Sequence, residues 1–153
     1  MNIVDIPSDF GGGPQEPKKV VIHSMGEFIE AGEVDYFAKD WLDKLGLSAH
    51  YLITPSGVVI RCLSENQIGW HARRNNTDSI GIEILVAGVH TYGTFMERIK
   101  TPYTFGDQYT ALIGLCRSYK RLPFVRHSEL SPGRKFDPGD GLDWKTFLND
   151  IGL

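Results

Sequence analysis

His127 and Asp137 stand ten positions apart in the stretch Arg126–Asp137, which reads RHSELSPGRKFD. Imidazole and carboxylate both ligate divalent metals, and the pair suits zinc. Lys135 lies two positions before Asp137, where its ammonium can be aimed at whatever a metal binds. Pro132, Gly133 and Pro138 interrupt any helical pattern, so the segment is expected to be a loop. A loop histidine among charges is also what an ordinary solvated surface looks like. A metal centre needs a third ligand, and chemistry on it needs a base, both from elsewhere in the chain.

Two apolar runs supply candidates. Val20, Val21 and Ile22 form a short β-branched run that ends in His23, the pattern of a buried strand with a histidine at its exit. A satisfied histidine at the edge of a core fits that position equally. Ser79–Val86, reading SIGIEILV, is a strand that is apolar throughout except for Glu83. An acid inside such a run is costly to bury unless it is paired or functional. The alternative is an edge strand with Glu83 facing water. Ile82 and Ile84 would then face inward, leaving Gly81 and Leu85 on the face of Glu83.

The remaining elements must hold these residues in place. Residues 1–19 are rich in Gly, Pro and charge and read as an extended lead-in, with the domain proper over 20–153. Met25 to Gly32 should be a loop. Val34, Phe37, Ala38, Trp41, Leu42 and Leu45 recur at helical spacing over 33–45, with Gly46 as the stop and the aromatic residues in the core. Ser48–Ile53 and Val58–Leu63 flank the turn Thr54-Pro55-Ser56-Gly57 and read as a hairpin. Asn66–Asn76 is polar and irregular. Residues 87–103 read as a long loop, and Thr104–Tyr119 as a helix capped by Thr104, with Asp107 following and Tyr109, Leu112, Ile113 and Cys116 inward. Phe124 and Val125 make a short strand leading to His127, and Trp144, Phe147, Leu148 and Ile151 mark a last helix. The expected fold is α/β: one domain, a mixed central sheet flanked by helices.

Composition narrows the function classes. With 153 residues, 41% hydrophobic and 23% charged, the chain is an ordinary globular domain with room for one core. A net charge of −3 speaks against nucleic acid as the main partner. Cys62 and Cys116 both sit in apolar contexts and are expected as buried thiols. No apolar run approaches a membrane span. The N-terminus MNIVDIPSDF has acids and no basic region, which is unlike a signal peptide, so a cytoplasmic location is expected.

His23, His127 and Asp137 together leave zinc an open fourth position, the arrangement of catalytic rather than structural sites. Sites in open sheets gather at strand ends, where two of these residues are expected. With Glu83 as a base and Lys135 as a cation, the set can hydrolyse an amide: water is activated, the carboxylate takes a proton, and the ammonium holds the oxyanion.

The segments VVIHSMGE, SAHYLITPSGVV, GWHARRNNTDSIGIEI and VRHSELSPGRKFDPG resemble the successive motifs of the zinc-dependent N-acetylmuramoyl-L-alanine amidases of type 2. This family is related to peptidoglycan recognition proteins and small phage endolysins. The resemblance runs from about Val20 to Trp144 and is most specific in the HSELSPGRKFDPG block. It implies a mixed sheet with helices, one Zn2+ and cleavage of the amide between N-acetylmuramic acid and L-alanine. It also implies His23, His127 and Asp137 as zinc ligands, with Glu83 and Lys135 catalytic. Some relatives carry a tyrosine before the hairpin histidine and a cysteine as third ligand. Here Ala49 and Asp137 hold those positions, so Tyr51 does not inherit the tyrosine's role. Arg74 resembles an arginine that holds the stem peptide in recycling members. His71 is expected to line the cleft, and His50 to be structural.

A catalytic amidase and a non-catalytic peptidoglycan-binding module are the two readings, and the full ligand set favours the enzyme. Within it, a monomeric phage endolysin released by a holin is expected first. A cytoplasmic amidase that recycles muropeptides is the alternative, and a lysin that also binds an RNA polymerase stays open.

Overall fold

Ile80, Ile82, Ile84 and Val86 project to one side of the strand Ser79–Val86, and all are buried, as is every residue of that strand. A strand covered on both faces belongs at the centre of a sheet. Burying each isoleucine contributes roughly 1.5–3 kcal/mol. The computed structural model describes residues 1–26 and 37–153, and for residues 37, 38, 40 and 41 the backbone alone.

In chain order the strands are β1 (Ile3–Asp5), β2 (Gly11–Pro14), β3 (Lys19–Gly26), β4 (Tyr51–Ile53), β5 (Val59–Arg61), β6 (Gln67–Gly69), β7 (Ser79–Val86) and β8 (Phe124–Arg126). The helices are α1 (Phe37–Lys44), α2 (Tyr92–Arg98), α3 (Gly106–Arg117), α4 (His127–Leu130) and α5 (Trp144–Ile151). Six strands form a mixed sheet in the order β1-β5-β4-β7-β3-β8. Strand β3 runs parallel to both β7 and β8, β4 runs parallel to β7 and β1 to β5, and the β4–β5 pairing in this sheet is antiparallel. Helices flank the sheet. On one face, Leu112, Leu115 and Cys116 of α3 and Phe147 and Ile151 of α5 pack on the isoleucines of β7. On the other, Leu42 of α1 joins Leu52, Ile60 and Leu85. Glu83 points to this second side, and that side carries the site.

Several expectations hold and several are corrected. The hairpin forms, with Leu52 opposite Ile60, although its strands are shorter than expected. Both cysteines are free and buried, as expected. Helix α1 ends at Lys44, and the expected stop, Gly46, follows two residues later with a φ of +68° in the left-handed region. The first part of the expected 33–45 helix, most of the loop before it and the side chains of Phe37 and Trp41 lie outside the described residues. Strand β3 does not stop at His23 but continues to Gly26, so the histidine is internal. The span 87–103 is not all loop: Thr91 and Thr94 form a reciprocal capping box that starts α2. None of its residues is buried, so no apolar periodicity betrays it. Thr104 does not cap α3, which begins two residues later at Gly106, with Phe105 at the cap position and no side-chain bond there. Asn66–Asn76 contains β6 and the start of a tight 3-10 turn, Arg73–Asp78. The loop expected around His127 opens with the single turn α4. Within residues 1–19, β1 pairs with β5 at the sheet edge and β2 pairs with β6. Among the described residues no helix is long and apolar enough to cross a membrane.

Candidate active site

Parallel strand register brings the first residues of the site together. His23 on β3 is aligned with Glu83 on β7. Ile22 is aligned with Arg126 on β8, so His127, one step further along, lies beside His23. Asp137 arrives from the loop after α4. Its carbonyl accepts the Ser128 amide at 3.0 Å, closing the loop on itself. The next carbonyl, that of Pro138, accepts the Tyr103 hydroxyl at 2.8 Å and the Ser24 hydroxyl at 3.3 Å. Those two bonds tie the loop to β3 and to the segment before α3. Inside it, the amides of Arg134 and Lys135 both donate to the Ser131 carbonyl, which makes the Pro132-Gly133 turn tight.

The three candidate ligands converge. His23 Nδ1 lies 3.0 Å from His127 Nδ1 and 3.3 Å from Asp137 Oδ2, and His127 Nδ1 lies 3.2 Å from the same oxygen. Ligands arranged tetrahedrally at about 2.0–2.1 Å from zinc stand about 3.3 Å from one another. All three residues are buried, and their donor set of two imidazoles and one carboxylate leaves a fourth position for water or substrate. The residues present therefore fit a zinc ion. Glu83 Oε1 is 3.7 Å from His23 Nδ1, while Glu83 Oε2 is buried with no protein partner among the described residues. A carboxylate oxygen left free there is available to a water or to substrate.

Burial and charge set the protonation of the group. Burial pushes the Glu83 carboxyl well above its ordinary range, Asp137 adds to the rise, and Lys135 opposes it. Burial also pushes Asp137 up, but the His127 and His23 imidazoles packed against it outweigh burial and hold that carboxyl below the usual carboxylate range. Two carboxyl groups in one site are thus driven apart, one poised to hold a proton and one to stay ionised. His23 is lowered by burial against the pull of Asp137, and His71 is lowered further, by burial and then by its histidine neighbours.

The cleft over this centre has a volume of about 570 Å³. Lys135 is half-buried in its wall, and His71 also lines it. Arg74 is exposed and outside the lining, whereas its neighbour Arg73 is in it. Arg73 has a φ of +52°, which turns the chain between the two. The structure thus gathers six of the seven expected site residues around one cleft and leaves Arg74 outside its wall. Sequence reasoning missed Trp70, Tyr92, Phe136 and Arg134, which also line the cleft. Trp70 and Phe136 lie in irregular segments and Tyr92 opens a helix with no buried face, so no apolar periodicity marked these aromatic residues. His50 is buried, accepting the Gly81 amide at Nδ1 and donating from Nε2 to the Gln67 carbonyl, which is structural work. The Tyr51 hydroxyl bonds that of Tyr119 at 2.7 Å, away from the cleft lining.

A family model described as N-acetylmuramoyl-L-alanine amidase matches residues 13–140. The chain belongs to this family. Among curated amidases of the family, it is 32% identical to the 1,6-anhydro-N-acetylmuramyl-L-alanine amidase AmpD of Enterobacter cloacae, over 87% of this chain and 80% of that protein. It is 28% identical to the protein of the same name from Haemophilus influenzae, over 90% of this chain and 84% of that one. In fold it matches the N-acetylmuramoyl-L-alanine amidase LysC from Clostridium intestinale, with a TM-score of 0.75, 20% identity, and coverage of 100% of this chain and 99% of that one. Amidase chemistry is therefore the frame for the site, and the family's mixed sheet with helices is the fold found here.

Proposed function

We propose that the protein hydrolyses the amide between N-acetylmuramic acid and L-alanine with one zinc ion held by His23, His127 and Asp137, acting on muropeptide fragments rather than intact wall. The observation that carries this reading is the convergence of three candidate ligand atoms, 3.0 to 3.3 Å apart, beside a buried carboxylate oxygen with no partner among the described residues. Zinc, when bound, supplies Lewis-acid polarisation of the scissile carbonyl and of water. The chain's own residues do the rest. Glu83 accepts the proton of the attacking water, and its raised proton affinity suits it to hold that proton and pass it on. The carbonyl carbon gains the water oxygen, the C–N bond breaks, and the L-alanine nitrogen leaves with the proton from Glu83. Lys135, in the wall of the cleft, sets a positive charge toward the oxygen on which negative charge develops. His71, in the cleft lining, and Arg74, exposed just outside it, are assigned to the substrate side.

The relatives favour fragments over the intact wall. At about 30% identity over most of their length, the AmpD proteins are named for a 1,6-anhydro sugar, which speaks for a recycling amidase rather than the endolysin expected from sequence alone. The test is to incubate the zinc-loaded protein with purified anhydro-muropeptide and, separately, with intact sacculi. New L-alanine amino termini without new reducing sugar ends are expected, faster on the fragment. Faster release from sacculi would restore the endolysin reading. Binding without any released amine would make the protein a recognition module, and reducing ends would make it a glycosidase.

A further inference from the structure

We propose that His71 is a positioning residue that fixes the tautomer of His23, through a hydrogen-bonded relay from His23 to His71 to Ser79 to the Asn75 carbonyl. The inference rests on the zinc reading of the cluster above, and it gives His71 a task other than lining the cleft.

The direction of the relay is set at its far end. A backbone carbonyl only accepts. The Ser79 hydroxyl lies 2.6 Å from the Asn75 carbonyl, so its single proton is committed there. Ser79 Oγ can then only accept from His71 Nε2, 3.3 Å away, which puts the His71 proton on Nε2. A neutral imidazole protonated at Nε2 carries a lone pair at Nδ1. His71 Nδ1 is 2.9 Å from His23 Nε2, so His23 donates and is protonated at Nε2. Its Nδ1 is consequently bare, and this is the atom that faces His127 Nδ1 and Asp137 Oδ2. Every proton in the chain is assigned by one carbonyl.

The setting of His71 fits a fixed part. Its backbone amide donates to Asn76 Oδ1 at 2.8 Å, and the Ala72 amide donates to the same oxygen. The ring lies over Gly81, where a Cβ would come within 2.6 Å of it. It meets the His23 ring nearly edge-on, at 85° and a centroid distance of 5.1 Å. His127 has no such support: its Nε2 is buried without a partner among the described residues. Metal-bound histidines usually lean on a carboxylate or carbonyl, and losing that support typically costs ten- to a hundredfold in metal affinity. Here a second imidazole takes the role for one ligand only.

The experiment uses the full chain with zinc as the probe. Zinc affinity is read by chelator competition. The tautomer of His23 is read by nitrogen NMR on the metal-free protein above neutral pH, where imidazole is uncharged. His71→Phe should weaken zinc binding about ten- to a hundredfold. His71→Asn, which offers an acceptor oxygen close to where Nδ1 stood, should recover most of that loss. Ser79→Ala, which releases the His71 Nε2 proton, should give His23 a mixture of tautomers and a smaller loss of affinity. It decides the matter if His71→Phe does not fold. Wild-type affinity in His71→Phe, no recovery in His71→Asn, or a proton on Nδ1 of His23 in the wild type would each overturn the relay. A wild-type protein that binds no zinc would sink the zinc reading instead, and the NMR tautomer would still decide the relay.

Discussion

Gly81→Ala probes the space on which this arrangement depends. Gly81 is not among the glycines with positive φ, so alanine adds no backbone strain there and the effect is purely one of room. A Cβ at this position would lie 2.6 Å from Cγ and Nδ1 of His71 and 2.8 Å from its Cδ2. Carbon contacts settle at about 3.5–4.0 Å, so ring and strand must part by about 1 Å. The strand has little freedom to move. Gly81 accepts the His50 amide at 3.0 Å, donates to His50 Nδ1 at 2.9 Å and is registered against Val21. The ring therefore gives way. Its 2.9 Å bond to His23 is made by the same Nδ1 that the added Cβ crowds, so a ring shift of this size disturbs that bond. Zinc affinity should fall about ten- to a hundredfold, equivalent to about 1.4–2.8 kcal/mol. The metal-free fold should lose about 1–3 kcal/mol from overpacking. Chelator competition reads the first quantity and thermal unfolding of the metal-free protein reads the second. A folded Gly81→Ala protein with wild-type zinc affinity would show that the His71 ring does not govern the ligand it touches.

The remaining expectations separate metal binding from chemistry. Glu83→Ala and Lys135→Ala should each retain zinc while turnover on muropeptide falls by about a hundredfold to ten-thousandfold. Asp137→Ala should lose metal and activity together, and metal analysis beside amine release on the same three proteins checks both. A fully active Glu83→Ala protein would remove that residue from the mechanism. Glu83 also makes the metal-free fold sensitive to pH. Its folded pKa lies above the ordinary 4.5, so the stability it contributes is complete below that value and is lost as pH rises through the raised one. Glu83→Gln cannot ionise and should gain stability relative to wild type as pH increases, which paired melting curves at acidic and alkaline pH will read. A constant difference between the two curves would contradict the burial of a charged Glu83.

Much of the site was visible in the sequence because strands carry period-two information. Glu83 stood out as one acid in an apolar run, and the structure buries it as that pattern implied. His23 and His127 were recognisable as residues following short β-branched or aromatic runs. What a sequence does not show is which strands become neighbours. The alignment of His23 with Glu83 follows from β3 pairing with β7, a contact between segments about sixty residues apart. The relay through His71 depends on that pairing and on the turn Arg73–Asp78, so a histidine read as a cleft residue turned out to be bonded to a candidate ligand. The pairings of β1 and β2 were hidden for a different reason: their residues are mostly exposed, and β2 is glycine-rich, with no buried face to impose a pattern.

The site is assembled from two kinds of structure, and this division bears on how it works. His23 and Glu83 are carried by the strands at the centre of the sheet, and His127 follows directly on the edge strand beside them, so backbone ladders fix their spacing. Asp137 and Lys135 come from a loop held by single bonds, from Ser128 to the Asp137 carbonyl and from Tyr103 and Ser24 to the Pro138 carbonyl. Precise ligand geometry is better kept on rigid elements than on loops. The loop compensates with burial: Asp137 and Pro138 are both enclosed, and the Tyr103 hydroxyl that anchors them is buried as well. A buried carbonyl that lost this donor would be left with a weaker, longer bond to Ser24 alone. The candidate ligand that would close the metal set is thus the one whose position depends on distant side chains, while the two histidines and the proposed base depend on strand pairing.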